Sequence, residues 1–261
     1  MKDLKQFIRT TIREFLNETY ISDIEKKVNY VFKQTPYLEK IGSKKEYSNY
    51  LNTIFSESIL KDLYYHETDG DWWRSDEFNI SHFGKTDDGF YGKGFYFSTL
   101  EGIGGYGHNV IFVKLYSKKI KTNITTHWLD KVILSELNPI QSKNKAISWI
   151  NEKINYYEDE LNNLKNNVFF KHSDIPKNVD YETYWENKKN MKIGSINNII
   201  SDLRKSLANI DKIISDYYSY DSFTTGEDLN SYEEILIRNP NNIHILGSDK
   251  DIDGFKKYMN K

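Results

Sequence analysis

Two heptad-spaced runs, flanked on both sides by strand-like segments, restrict the fold of this chain more than any other feature. Ile147, Ile150, Ile154, Tyr157, Leu161 and Leu164 step by three and four, as do Ile196, Ile200, Leu203, Leu207, Ile210, Ile214 and Tyr217. Apolar residues at that spacing line one side of a helix. Two such helices of about 20 residues each predict an antiparallel hairpin with a coiled-coil-like seam. The stretch between them, 167–194, is polar with scattered aromatics (Phe169, Phe170, Tyr181, Tyr184, Trp185) and reads as a connector. Its aromatics pack on the hairpin or meet a partner protein there. Segments 61–66, 93–98 and 109–116 precede the hairpin and 233–238 and 243–246 follow it, all rich in aromatic and β-branched residues. A sheet drawing strands from both sides makes the hairpin an insertion, at about residues 140–220, within one domain spanning 59–261.

Ahead of that domain lies a helical region, 1–58. Leu4, Phe7, Ile8, Ile12, Phe15 and Leu16 fall on one face of a first helix, whose other side carries Lys2, Lys5, Arg9 and Arg13. Ile24, Val28, Val31 and Phe32 fall on one face of a second, and a third covers 44–56. The net charge of −2 and pI near 6.3 give no sign of the basic face that nucleic-acid binding needs. Cysteine is absent, which excludes a disulfide framework, a thiol nucleophile and a cysteine zinc site. No apolar run approaches a membrane span, and the first residues lack the apolar core of a signal peptide. A cytoplasmic protein is expected, in a bacterial or phage-infected cell given the abundance of Lys, Asn, Ile and Tyr, or an effector delivered without a signal peptide.

Three familiar patterns fail on inspection. Gly102-Ile103-Gly104-Gly105-Tyr106-Gly107 fits the dinucleotide-binding glycine spacing, yet a strand follows where that motif needs a helix. Gly84-Lys85-Thr86 resembles the end of a phosphate-binding loop, but Asn79 stands where its first glycine would be. The six histidines show no metal-ligand spacing, so no metal is expected.

One constellation survives. Tyr64-Tyr65-His66-Glu67-Thr68 ends a strand, and Gly92-Lys93-Gly94-Phe95-Tyr96-Phe97-Ser98 forms another, followed by Tyr106. Tyr232-Glu233-Glu234-Ile235-Leu236-Ile237 lies far downstream and runs into Asn239-Pro240-Asn241-Asn242-Ile243. In order and strand placement these segments resemble the His–Tyr–Glu signature of the ADP-ribosyltransferases. That family includes diphtheria-type toxins, poly-ADP-ribose polymerase catalytic domains and transferase domains of bacteriophage polyvalent proteins. The resemblance covers roughly residues 60–116 and 225–248 and implies an α+β fold with a split β-sheet core, here flanked by the N-terminal helices and the inserted hairpin.

The resemblance also implies the chemistry. NAD is the co-substrate, and ADP-ribose passes to a macromolecule as nicotinamide leaves. A transition state of this kind is oxocarbenium-like, so it needs a carboxylate, a polar anchor for ribose and aromatic faces for the nicotinamide ring. His66 would anchor ribose, and Glu67, where the family usually has glycine, would clamp the carboxamide through its backbone, with Thr68 beside it. Lys93 and Gly94 precede Tyr96, the first stacking ring; Tyr106 is the second, with Ile103 where many members carry serine. Glu234 is the catalytic carboxylate, selected over Glu233 because the family's glutamate sits six residues before the proline at Pro240. In the family the loop before that glutamate helps choose the acceptor. Here it is 220–230, acidic and carrying Phe223, expected at the surface. That favours a protein acceptor over nucleic acid, although the basic run Lys114–Lys131 works the other way. Mono-ADP-ribosyl transfer is the expectation; a non-catalytic NAD, ADP-ribose or partner-binding module and an NAD glycohydrolase are the alternatives.

Overall fold

The computed structural model describes residues 24–68, 77–82, 92–99, 109–124, 129–166, 181–224, 226 and 234–261. The expected first helix, Ile103, Tyr106 and the two rejected glycine motifs lie outside these residues. The chain forms two compact units: Met1–Gly89 with Gly94–Ile124 and Tyr220–Lys261, and Phe90–Lys93 with Thr125–Ser219.

The first unit mixes helix and sheet. Its helices are α1 (24–34), α2 (Lys44–Leu51) and α7 (Asp249–Met259). Its strands are β1 (Leu63–Thr68), β2 (Phe95–Phe97), β3 (Asn109–Leu115), β4 (Ile120–Lys121), β5 (Ser222–Thr224), β6 (Ile235–Ile237) and β7 (Ile243–Ile245). They form two sheets, β1-β3-β7, all antiparallel, and β2-β6-β5-β4, parallel only between β4 and β5. Among the described residues one bridge joins them: Tyr65 and Ser98 exchange backbone hydrogen bonds of 2.9 and 3.1 Å.

Strand alternation explains how one sheet serves two cores. Tyr64, Ile111, Val113 and Ile245 point from the first sheet into a core shared with Phe95, Phe97, Ile235 and Ile237 of the second. Leu63, Tyr65 and Phe112 point the other way, against Val28, Phe32, Leu38, Tyr47, Leu51 and Phe255. The helices of the N-terminal region therefore share a core with β1, β3 and α7. Each fully buried side chain of this size contributes about 1.5–3 kcal/mol.

Several boundaries differ from the sequence reading. The strand expected over 61–66 runs from Leu63 to Thr68, because its partner β3 sets its ends at Leu63↔Lys114 and Thr68↔Asn109. His66 therefore lies inside the strand. The helix expected over 44–56 ends at Leu51. Asn52 caps it, Thr53 folds its hydroxyl back on the Tyr50 carbonyl at 2.7 Å, and Phe55 takes a left-handed φ of 51°. Phe223, expected at the surface, is only 1% exposed, since β5 lies between β6 and β4.

The second unit is helical: α3 (Leu129–Leu134), α4 (Pro139–Asn166), α5 (Tyr181–Ala208) and α6 (Ile210–Tyr217). Pairs from Lys192 to Glu160 (2.7 Å) and from Lys189 Nζ to the Lys165 carbonyl (3.3 Å) run α4 and α5 antiparallel. Ile150, Ile154, Ile196, Ile200 and Leu203 are buried, whereas Leu161, Leu164 and Leu207 stay half-buried. The connector expected over 167–194 is shorter, for α5 already begins at Tyr181. Tyr184 and Trp185 meet edge to face at 5.4 Å, and Lys188, one turn on, lies over both rings at 5.1 and 5.3 Å. Contacts between residues three and four apart support a helix locally. Among the described residues no helix is long and apolar enough to cross a membrane.

Candidate functional site

The bridge between the two sheets brings His66 to the Tyr96 backbone. Tyr65 pairs with Ser98, so the next residue of β1, His66, stands beside β2. Its Nδ1 lies 2.9 Å from the Tyr96 carbonyl. A carbonyl only accepts, so Nδ1 carries the proton and Nε2 keeps its lone pair. Phe78 and Phe97 flank the ring at 5.2 and 5.6 Å. Burial lowers the His66 pKa below its ordinary value; the Tyr96 carbonyl and the Glu67 carboxylate oppose that to a lesser degree. The result is a neutral imidazole presenting a hydrogen-bond acceptor, which suits a ribose hydroxyl.

Glu67 follows in the same strand, opposite Val110. Its φ is not positive: among the described non-glycine residues only Phe55 and Asn123 have positive values. A side chain is therefore accommodated where glycine is usual. Because Tyr65 directs its N–H and C=O away from β3 toward Ser98, the alternation of strand hydrogen bonds directs those of Glu67 the same way. By the same alternation the Glu67 side chain lies on the face of Leu63 and Tyr65, opposite to that of His66. Thr68 is buried at the end of the strand.

β2 supplies Tyr96. Phe95 and Phe97 are buried in the shared core, and Tyr96, half-buried, takes the opposite face. β6 runs antiparallel beside it, with Phe97 opposite Ile235 and Tyr96 opposite Leu236. Glu234 directly precedes β6, so this register carries it to the Ser98 end of β2. Alternation sends it toward the face of Leu236 and Tyr96. Glu234 is half-buried and has interaction partners of its own. The seam thus brings the backbones of His66, Glu67, Tyr96 and the start of β6 together from three strands far apart in sequence, with the His66 ring on the core face beside Phe97 and the Tyr96 ring and Glu234 directed to the opposite face.

The glycines have a different task from ligand approach. A Cβ on Gly94 would lie 2.1 Å from Leu236 Cδ1 and 3.0 Å from the Ile237 carbonyl oxygen, so Gly94 lets β2 close on β6. Gly92 has φ +133°, and a Cβ there would meet the Leu134 backbone at 2.6 Å. Lys93 belongs to the helical unit: its N–H donates to Leu134 and its Nζ lies 3.6 Å from Glu136. Tyr106 lies outside the described residues.

Two residues of the seam escaped the sequence reading. Phe78 stands among polar neighbours, Glu77 and Asn79, and nothing in its spacing ties it to His66. Ser98 was read only as the end of a motif, yet its backbone links the two sheets. No group of three or more metal-ligating side chains occurs among the described residues. Comparison with protein-family models, with curated proteins and with solved structures found no match.

Proposed function

We propose that the chain is a mono-ADP-ribosyltransferase built on the split-sheet fold of that superfamily, using NAD as co-substrate. The observation that carries this reading is the meeting of His66, Tyr96 and the start of β6 around the Tyr65–Ser98 bridge. Neutral His66 accepts from a ribose hydroxyl through Nε2, and the extended Glu67 backbone holds the carboxamide. The Tyr96 ring stacks on nicotinamide. The bond between nicotinamide nitrogen and ribose C1′ breaks, with its electron pair leaving on nicotinamide. Glu234 offsets the positive charge that develops on the ribose and holds its 2′-hydroxyl. A nucleophile of a macromolecular acceptor bonds to C1′ and gives up its proton.

The burial of Phe223 leaves Tyr220 as the half-buried aromatic at the start of the acceptor-facing loop, with Lys119 Nζ 4.0 Å and Lys121 Nζ 5.4 Å from its ring centroid. A protein acceptor remains the favoured reading, and that local positive charge makes nucleic acid the arm to compare directly.

The test is incubation of the purified protein with labelled NAD and cell extract, beside Glu234→Gln. The expected result is label on a macromolecule with wild type and a loss of about 10²–10³-fold in the variant. Protease and nuclease treatment then identify the acceptor class. Nicotinamide release without macromolecular label would make it an NAD glycohydrolase. NAD binding without nicotinamide release would make it a binding module.

A further inference from the structure

On the face of the first sheet away from His66 lies a cavity of about 700 Å³. Leu63 of β1 and Lys114 of β3, register partners, supply its wall from the sheet; α1, α2 and the turn after α2 supply the rest. Val28, Leu51, Ile54, Phe55 and Leu63 make it apolar. Its charges are unbalanced: Lys44, Lys45, Lys61 and Lys114 line it, against one carboxylate, Glu25.

Lys114 is the decisive residue. It is 6% exposed, donates to the Lys61 carbonyl at 2.5 Å, and makes no ion pair among the described residues. Burial pushes its pKa down and Lys61 adds to that, against the attraction of Asp62. A buried ammonium with one carbonyl partner retains donors that an anion would satisfy. Lys44 and Lys45 add a second, independent signal. They occupy the first turn of α2, the positive end of the helix dipole, where lysines are repelled; the one carboxylate of that turn, Glu46, is engaged by Ser43 in the capping box. Among the described residues Lys45 has no hydrogen-bond or ion-pair partner; Lys44 lies 5.9 Å from the Phe32 ring centroid, and Lys61 Nζ donates to the Ser56 carbonyl at 2.7 Å. An anion in the cavity would offset the charge of Lys114 and act on Lys45 at the same wall.

We propose that this cavity is a second binding site, for a small amphiphilic acid. The apolar body of the ligand, of acyl-chain size, lies on Val28, Leu51, Ile54, Phe55 and Leu63, and its acid group meets Lys114, with Lys45 contributing charge from the α2 wall. The volume falls within the range of small-molecule sites, about 300–1,000 Å³. The site is separate from the NAD reading, because Leu63 and Lys114 face away from the side of β1 that carries His66.

Calorimetric titration of the full chain with decanoate, decanol and inorganic phosphate tests it. Decanoate is expected to bind at least about tenfold more tightly than decanol or phosphate, as a charge-assisted hydrogen bond implies. Lys114→Met and the exposed Lys45→Gln should each weaken decanoate and leave decanol unchanged. Glu234→Gln should bind decanoate as wild type does, whatever becomes of NAD turnover. The proposal is overturned if decanoate does not bind, if decanol binds equally well, or if decanoate affinity is unchanged in both lysine variants. Should Lys114→Met fail to fold, Lys45→Gln decides alone.

Discussion

Two histidines flank the central strand β3 of the first sheet, and each is held through one ring nitrogen by a different kind of acceptor. His244 of β7 donates Nε2–H to Asp251 at 2.7 Å. That carboxylate, fully buried, also accepts from the Tyr47 hydroxyl and from the Gly247 N–H at 2.7 Å, and the Asp251 N–H meets the capping Ser248 hydroxyl at the start of α7. Burial foremost, then Asp251, raises the Tyr47 pKa far above its ordinary value, so the phenol stays a donor. His66 of β1, by contrast, is fixed through one nitrogen to a backbone carbonyl and keeps the other as an acceptor. The first arrangement closes around a buried carboxylate, which pins α7 to β7 and α2. The second rests on a backbone carbonyl, with no carboxylate bonded to the ring. A residue type alone does not separate structural from functional histidines; the group that each ring meets, a buried carboxylate for His244 and a backbone carbonyl for His66, is what differs.

The largest effect should come from the closed cluster. Asp251→Ala strands the Tyr47 hydroxyl, the His244 ring and the Gly247 N–H in a buried place. It should cost about 3–5 kcal/mol in denaturant unfolding. NAD turnover per folded molecule should stay near wild type. If turnover falls while stability holds, the contrast between the two histidines is wrong.

A smaller effect is expected at the seam. Gly94→Ala drives a methyl group into Leu236, which is fully buried and cannot swing aside, and toward the Ile237 carbonyl. Overpacking of this kind costs about 1–3 kcal/mol. Because it pushes β2 from β6, NAD turnover should drop by more than the folded fraction accounts for. An unchanged rate per folded molecule would separate the β2–β6 spacing from the chemistry.

The smallest effect is a pH dependence that sharpens the comparison. The folded His66 pKa lies below the unfolded value of about 6.5, because burial disfavours the charged ring. The unfolded chain therefore takes up this proton first as pH falls. Stability is complete above 6.5 and declines as pH drops through the folded value. Protonation also removes the Nε2 acceptor, so NAD turnover should fall in the same window. His66→Phe removes this titration, and denaturant midpoints at pH 7.5 and 5.5 should differ less for the variant than for wild type. Equal differences would mean that His66 does not titrate as its burial requires.

The helical hairpin was legible from its heptads because helix contacts are local: residues three and four apart meet whatever the rest of the chain does. Its seam was overread, since Leu161, Leu164 and Leu207 fit the pattern yet stay half-buried. The apolar strands were also legible, but their ends were not. β1 stops where β3 stops, and a partner nearly 50 residues away cannot be read from local propensity. Phe223 shows the same limit. In a stretch of Ser, Thr and Gly it reads as loop, and it is core only because β4 and β6 close on β5 from both sides.

Of the candidate site, the sequence by itself determined which residue types were at hand: a histidine in an aromatic strand, a tyrosine after paired glycines, and a glutamate ahead of an apolar run. It also determined the face each takes, through the two-residue period of a strand. Only the tertiary structure decided that three strands meet at the Tyr65–Ser98 bridge, that His66 meets a backbone carbonyl while His244 meets a buried carboxylate, and that Lys114 is buried in the wall of a cavity that three other lysines also line. Those outcomes rest on long-range pairing and desolvation, which depend on neighbours in space and not in sequence.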